Sequence, residues 1–181
     1  MSRNIILVGS MGAGKTTLGK HLASRLGFDF IDTDQLVEER AGADIPWIFD
    51  VEGEEGFRLR ETSALKDVLH ESQKVIATGG GIVTRPENRQ LLRNQPGLVF
   101  YLTASVEQLV KRTYKDKKRP LLQVDNPRAR IKELFEQRDP LYKEVSDYIV
   151  VTDNKTLKTL TNEVLQLIDS TSLDLSTRRG S

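Results

Sequence analysis

Asn4-Ile5-Ile6-Leu7-Val8 runs without a break into Gly9-Ser10-Met11-Gly12-Ala13-Gly14-Lys15-Thr16, and no other stretch constrains this chain so tightly. An apolar strand feeding G-x-x-x-x-G-K-T, followed by apolar positions at helical spacing, is the pattern of a P-loop. Glycines let the backbone curl until consecutive N–H groups point at one spot. The helix beginning at Lys15 adds the positive end of its dipole, where unpaired N–H groups accept an anion. Lys15 is placed to reach β- and γ-phosphates, and the Thr16 hydroxyl to ligate Mg²⁺. With ordinary residue usage the bare pattern arises in roughly 0.5% of chains this long. The flanking strand and helix lower that figure, so the pattern implies a nucleoside triphosphate site.

The rest of the chain is compatible with a small enzyme. At 181 residues one compact domain with a substantial core is expected. Charged residues make up 29% and hydrophobic ones 38%, an ordinary composition for a water-exposed globular domain. A formal net charge of +1 gives no global field toward nucleic acid or an anionic bilayer. The absence of cysteine excludes disulfides, thiolate catalysis and Cys-ligated zinc. No apolar run reaches the length of a membrane span. The chain enters a strand after three residues, without room for a signal-peptide core, and the cytoplasm is the expected compartment.

Apolar runs alternate with helical patterns. Strands are expected at 4–8, 28–31, 74–78, 98–102 and 148–151; their continuous Val, Ile and aromatic content reads as strands covered on both faces. Helices are expected near 15–26, 34–41, 46–71 with an interruption at Gly53, 86–94, 105–115, 127–138 and 156–169. Pro86 and Pro127 suit a first helical turn, and Ser105 suits an N-cap. This alternation predicts an α/β fold with a parallel sheet and helices on both sides. From Ser170 the chain turns Ser/Thr-rich, and residues 170–181 are expected to form a frayed tail.

Ligands in such folds bind beyond the C-terminal strand ends, which directs attention to Asp32-Thr33-Asp34 and Gly79-Gly80-Gly81. Asp32 is placed to hold Mg²⁺ through water and Asp34 to reach an acceptor hydroxyl; the alternative is that Thr33 or Asp34 caps helix 34–41. Three consecutive glycines lose much backbone entropy on folding. Close approach of a small ligand is the expected reason, with a tight turn as the alternative.

Taken together, the P-loop through Thr17, Asp32-Thr33-Asp34, Glu52-Gly53-Glu54-Glu55-Gly56-Phe57-Arg58, Ala77-Thr78-Gly79-Gly80-Gly81, Lys118-Arg119-Pro120-Leu121-Leu122 and Arg138-Asp139-Pro140-Leu141-Tyr142 resemble the shikimate kinase family. The match runs in order from about residue 4 to about residue 168. The resemblance implies a three-layer P-loop kinase fold in a single domain over 1–169, with a five-stranded parallel sheet, a substrate-binding region at 33–61 and a mobile lid at 111–124. It implies transfer of the ATP γ-phosphate to the 3-hydroxyl of shikimate, with Mg²⁺ as cofactor held by Thr16 and Asp32. Gly12, Ala13, Gly14, Lys15, Thr16 and Thr17 would bind ATP. Asp34, Arg58, Gly79, Gly80, Gly81 and Arg138 would bind shikimate, and Lys15, Asp34 and Arg119 would carry catalysis.

The substrate's chemistry fits those residues. A ring with one carboxylate and several hydroxyls calls for guanidinium forks and a carboxylate acceptor. Arg58 is also spaced to pair with Glu54 and Glu61 on a helix surface. In Lys111–Arg119, thin aromatic interleaving disfavours nucleic acid. Arg119 matches the family's lid arginine, whereas Arg112, Lys117 and Lys118 read as tuning the local field. Lys155, after the last strand, is carried over as an adenine contact. Trp47, beside Ile48 and Phe49, reads as core or substrate-wall packing, and His21 and His70 as surface residues. A monomer acting on ATP and shikimate, without nucleic acid or membrane, is expected. A kinase of another polyol acid such as gluconate, and a non-catalytic nucleotide-binding module, are the alternatives.

Overall fold

The computed structural model describes residues 3–114 and 120–177, the side chains of 173–177 left aside. Strands β1 (Ile5–Val8), β2 (Asp29–Asp32), β3 (Lys74–Ala77), β4 (Leu98–Thr103) and β5 (Tyr148–Val151) form one sheet in the order β2-β3-β1-β4-β5. Every pairing is parallel: Ile6 lies opposite Ile76 and Val99, and Tyr101 opposite Ile149. Helices α1 (Lys15–Leu26), α2 (Thr33–Ala41), α3 (Ile45–Leu69), α4 (Pro86–Asn94), α5 (Val106–Thr113), α6 (Pro127–Val145) and α7 (Leu157–Thr177) surround it. The chain leaves β1 toward one edge and later crosses back to β4. The C-terminal end of β1 therefore borders the switch point where such sheets bind ligands.

Successive side chains of a strand point to opposite faces, and the core divides accordingly. Ile5 and Leu7 of β1, with Phe100 and Leu102 of β4, pack against Leu18 and Leu22 of α1, Leu109 of α5 and Leu160 and Val164 of α7. Ile6 and Val8, with Val99 and Tyr101, pack against Leu65 and Val68 of α3 and Leu92 of α4. A third cluster, Val37, Ile48, Phe57 and Ala64, joins α2 to α3. The double covering expected of all five strands holds for β1, β3 and β4. Strands β2 and β5 are edges, and Ile149 and Val151 are half exposed.

Helix α6 departs most from expectation. The sequence reading ends it at residue 138, but it continues through Pro140 to Val145. Proline removes one hydrogen bond, to the carbonyl four residues earlier. That carbonyl belongs to Glu136, an exposed residue, so water can satisfy it. Burial of Tyr142 and Val145 in the second layer holds the last turns, while Ile131 and Leu134 lie in the first. Arg138 falls between the two layers. Helix α3 is interrupted where expected, with Gly53 at φ 73° and ψ 178°. Trp47 is half exposed rather than core, because its neighbour Ile48 takes the buried face. Helix α7 continues to Thr177 rather than fraying from Ser170.

Asn4, buried at the entrance to β1, stitches three strands together. Its Oδ1 accepts from the Lys74 amide at 3.0 Å, its Nδ2 donates to Glu71 O at 2.9 Å, and its carbonyl accepts from the Leu98 amide at 3.0 Å. Asn4→Ala strands the Lys74 amide and should lower stability by about 1–3 kcal/mol, read as a reduced urea midpoint with an unchanged slope.

Candidate active site

The P-loop folds as its glycines dictate. Gly9, Gly12 and Gly14 sit at φ +148°, +80° and +93°, a region L side chains rarely enter. The Ala13 amide closes a tight turn on Ser10 O at 3.1 Å. Gly14 caps α1 without any side-chain hydrogen bond, which leaves first-turn amides available to an anion. Lys15 is nearly buried, and its Nζ donates to Gly9 O at 2.5 Å and Ser10 O at 2.9 Å. The ammonium thus lies across the loop it serves.

Thr16 Oγ1 donates to Asp32 Oδ2 at 2.9 Å. The other oxygen, Asp32 Oδ1, accepts from the amides of Asp34 and Gln35 at 3.0 and 3.2 Å. Asp32, neither Thr33 nor Asp34, is therefore the N-cap of α2. Gly12, Gly14, Lys15, Thr16, Thr17, Asp32, Asp34 and Thr78 line one cleft above this pair. A hydroxyl beside a carboxylate is a hard oxygen pair of the kind Mg²⁺ takes, with its remaining positions filled by water and phosphate. Among the described residues no cluster of three or more His, Cys, Asp or Glu is arranged for a metal. The residues fit a cation held jointly with a phosphate better than a cage made by protein alone.

A second cleft opens on the far side of the loop, lined by Ala13, Gly14, Thr17, Leu18, Leu102, Arg112, Thr152, Leu157 and Leu160. Its apolar floor and single guanidinium suit a flat heterocycle. Arg112 Nη1 donates to Gly12 O at 3.1 Å and Thr152 Oγ1 at 3.2 Å, a direct tie to the loop that the sequence reading did not give it. Lys155 pairs with Glu163 at 2.9 Å and is not among the residues lining this cleft.

The third cleft gathers Asp34, Arg58, Gly79, Gly80, Gly81 and Arg138, all read from the sequence as belonging together, and adds Met11, Phe49, Phe57, Glu61, Pro120 and Leu121. Arg58 and Arg138 are 8% and 5% exposed, and Glu61 is fully buried. Arg58 is held by Glu61 Oε1 at 3.0 Å and Glu54 Oε1 at 3.3 Å, with the Phe57 ring 5.2 Å from its Cζ. Asp34 lines this cleft and the phosphate cleft alike. His21 and His70 line none of the three.

The glycines belong to the site for a reason the sequence reading did not supply. None of Gly79, Gly80 and Gly81 has a positive φ, so conformation does not require them. A Cβ on Gly81 would overlap the Arg58 guanidinium, and one on Gly79 would collide with Asp34 Oδ1 and lie 2.8 Å from Glu61 Oε2. Gly79 and Gly81 make room for the protein's own charged groups, whereas a Cβ on Gly80 would make only ordinary contacts with Met11 and Arg138. Gly80 O accepts from Tyr142 Oη at 2.5 Å, which pins the loop to α6.

Burial dominates the electrostatics. It raises the Glu61 carboxyl to about 7, against the pull of Arg58, and it lowers the Arg138 guanidinium and raises the Tyr142 phenol. Glu61 entered the sequence reading only as a partner for Arg58; its i+3 spacing gave the pairing but not the depth. Tyr142 closes the Arg138-Asp139-Pro140-Leu141-Tyr142 run, but nothing in the sequence gave it a role of its own. Arg119, with Lys117 and Lys118, lies outside the described residues; Pro120 and Leu121, which follow it, line the third cleft.

Comparison with known proteins places these clefts in context. A family model described as shikimate kinase matches residues 11–169. The chain is 53% identical over 167 residues to a shikimate kinase of Vibrio parahaemolyticus, covering 92% of this chain and 96% of that one. The structure of shikimate kinase from Acinetobacter baumannii in complex with shikimate superposes with a TM-score of 0.93 at 49% identity, covering 96% of each chain. A gluconokinase from Sinorhizobium meliloti, 16% identical with a TM-score of 0.64 over 98% of this chain and 97% of that one, shares the fold.

Glu61 makes stability depend on pH. The group ionises near 4.5 when solvated and about 7 when folded. Folding therefore carries no penalty from it below pH 4.5, loses stability as pH rises toward 7, and loses no more above that. At about 1.4 kcal/mol per pKa unit the loss is on the order of 3 kcal/mol. Glu61→Gln adds a constant offset but removes this slope. The stability of wild type relative to the variant, measured by denaturant unfolding from about pH 4.5 to about pH 8, should fall by that order.

Proposed function

The chain belongs to the shikimate kinase family, and from that premise we propose how its residues divide the transfer of the ATP γ-phosphate to the 3-hydroxyl of shikimate. One observation carries the reading: two buried guanidiniums share a pocket with Asp34, and Asp34 also borders the phosphate cleft. A carboxylate gripped by Arg58 and Arg138 sets the ring so that a hydroxyl faces Asp34, at the edge where a triphosphate would end.

The P-loop amides from Gly12 to Thr17 and the Lys15 ammonium hold the phosphates. Thr16 and Asp32 would hold Mg²⁺, which when bound neutralises charge on the β- and γ-phosphates. Asp34 orients the attacking hydroxyl and accepts its proton as the bond to phosphorus forms. In a loose transition state that proton leaves late, so position matters more than basicity. The backbone of Gly80 faces the ring, and Arg112 supports the nucleotide base across the second cleft. Arg119, within a lid at 111–124 that closes over both substrates, supplies charge to the equatorial oxygens and helps exclude water, the competing acceptor. We assign residues 1–169 to one domain with the substrate-binding region at 33–61, acting as a monomer in the cytoplasm without nucleic acid or membrane. Among the described residues no helix is long and apolar enough to cross a membrane.

Coupled ADP-release assays with shikimate as sole acceptor test the assignment, with gluconate and other hydroxy acids giving background rates. Lys15→Ala should cost on the order of 10²-fold or more in kcat. Arg58→Ala and Arg138→Ala should each weaken shikimate binding by about 2 kcal/mol or more while ATP binding barely changes, because each removes one partner of a desolvated charge pair. The reverse pattern, lost ATP affinity with shikimate affinity retained, contradicts the division of the clefts.

Arg119 is tested through the transition state. Arg119→Ala should lower kcat by roughly 10²-fold or more, with nucleotide-free shikimate binding near wild type. Arg119→Lys should recover part of the loss, since it keeps the charge but not the planar fork. Equal, small losses for Arg119→Ala and Lys117→Ala would reduce this segment to a generic basic surface.

A further inference from the structure

Glu61 is placed for more than pairing. Its side chain is sealed from solvent. Among the described residues, Oε1 accepts from Arg58 and Oε2 has no hydrogen-bond partner. The described charged and titratable groups facing it are Arg58 on its own helix, Asp34 from α2 and Arg138 from α6, with Tyr142 behind Arg138. The loop after β3 presents glycine backbone. A Cβ on Gly79 would meet both Glu61 Oε2 and Asp34 Oδ1, so two carboxylates converge over one glycine.

Counting charge shows what a bound substrate changes. Without it, Arg58 and Arg138 face the Glu61 carboxyl, and Arg58 is shared with Glu54 as well. A substrate carboxylate adds one more anion to guanidiniums that are 8% and 5% exposed. An uncompensated buried charge is strongly unfavourable, and the group with an idle oxygen and no exposure is Glu61. Resting on the acceptor assignment above, we propose that Glu61 is a proton-accepting positioning residue that takes one proton from solvent as the substrate carboxylate docks onto Arg58 and Arg138.

The step is simple to balance. An O–H bond forms on Oε2 with a proton given up by a solvent or buffer acid, no bond in the substrate breaks, and the proton returns on release. Ionised Glu61 competes with the substrate carboxylate for Arg58. Protonated Glu61 still accepts one Arg58 hydrogen bond through Oε1 but leaves the guanidinium's charge to the substrate. Burial already holds the carboxyl at about 7 before any substrate arrives, so the second anion has to raise it by about two further units to keep it protonated at pH 8.

The test is calorimetric titration of shikimate into the full chain without nucleotide, at about pH 8, in phosphate and in Tris, whose ionisation heats differ. Wild type should take up close to one proton per shikimate, and its Kd should rise by up to about tenfold per pH unit above 7. In steady state the same dependence should fall on KM for shikimate and leave kcat at saturation unmoved. Glu61→Gln should bind shikimate with equal heats in both buffers and a flat pH profile. Equal heats for wild type in the two buffers overturn the proposal whether or not the variant folds. Proton uptake that persists in Glu61→Gln also overturns it, by placing the proton on Asp34. No binding heat from wild type in either buffer overturns the acceptor assignment itself, a distinguishable failure.

Discussion

One carboxylate sets the spacing on which the rest of the site depends. Asp32 ends β2 and spends its two oxygens in different directions, Oδ1 on the first amides of α2 and Oδ2 on the hydroxyl of Thr16 in α1. The first bond pair fixes the opening turn of α2 and with it the direction of Asp34. The second ties that turn to α1, the helix that opens directly from the P-loop. A cap of this kind is worth about 0.5–2 kcal/mol to a helix. Its larger effect here is geometric: the Thr16 hydroxyl, proposed to hold the cation, and the Asp34 carboxylate, proposed to hold the acceptor, are positioned by opposite sides of one residue.

The acceptor pocket makes a different use of charge. Arg58, Arg138, Glu61 and Asp34 lie together with little exposure, and breaking one partner of such a group costs more than the intact group contributes to folding. Its value is orientation. Arg58 is gripped by Glu61 and Glu54 and backed by the Phe57 ring, so its fork is held in place before any anion arrives. Affinity gained this way comes from rotamer freedom given up during folding rather than during binding.

Local pattern revealed much of this, and three-dimensional packing the remainder. The P-loop, the five strands and the Gly53 interruption were legible because each follows from short-range backbone chemistry, Asp34 and Gly79–Gly81 because they stand at strand ends, and Arg58 and Arg138 because their runs resemble those of the family. Helix α6 was cut short because Pro140 is a local stop signal, while the burial of Tyr142 and Val145 that overrides it is contributed by β1, β4 and α4. Glu61 looked like one more helix-surface acid, since i+3 spacing says nothing about depth. The sequence led from the triple glycine to a ligand; it could not show that a guanidinium and two carboxylates also stand where the Cβ atoms of residues 79 and 81 would be. Trp47 misled because an apolar ring next to Ile48 reads as core until the helix face is known.

Among the described residues Asp34 is the single charged side chain shared by the phosphate cleft and the acceptor cleft. The two also adjoin through the loop after β1, which gives Met11 to the acceptor cleft, and through the loop after β3, which gives Thr78 to one and Gly79–Gly81 to the other. In the proposed division the acceptor's carboxylate would be met by Arg58 of α3 and Arg138 of α6, outside the P-loop. That placing makes the architecture evolvable: a lineage could exchange the groups on α3 and α6, and so change which alcohol is modified, while leaving the loop after β1 in place. The limit on such change is the reach from Arg58 and Arg138 to Asp34, which acts as a ruler for any acceptor the scaffold is asked to take.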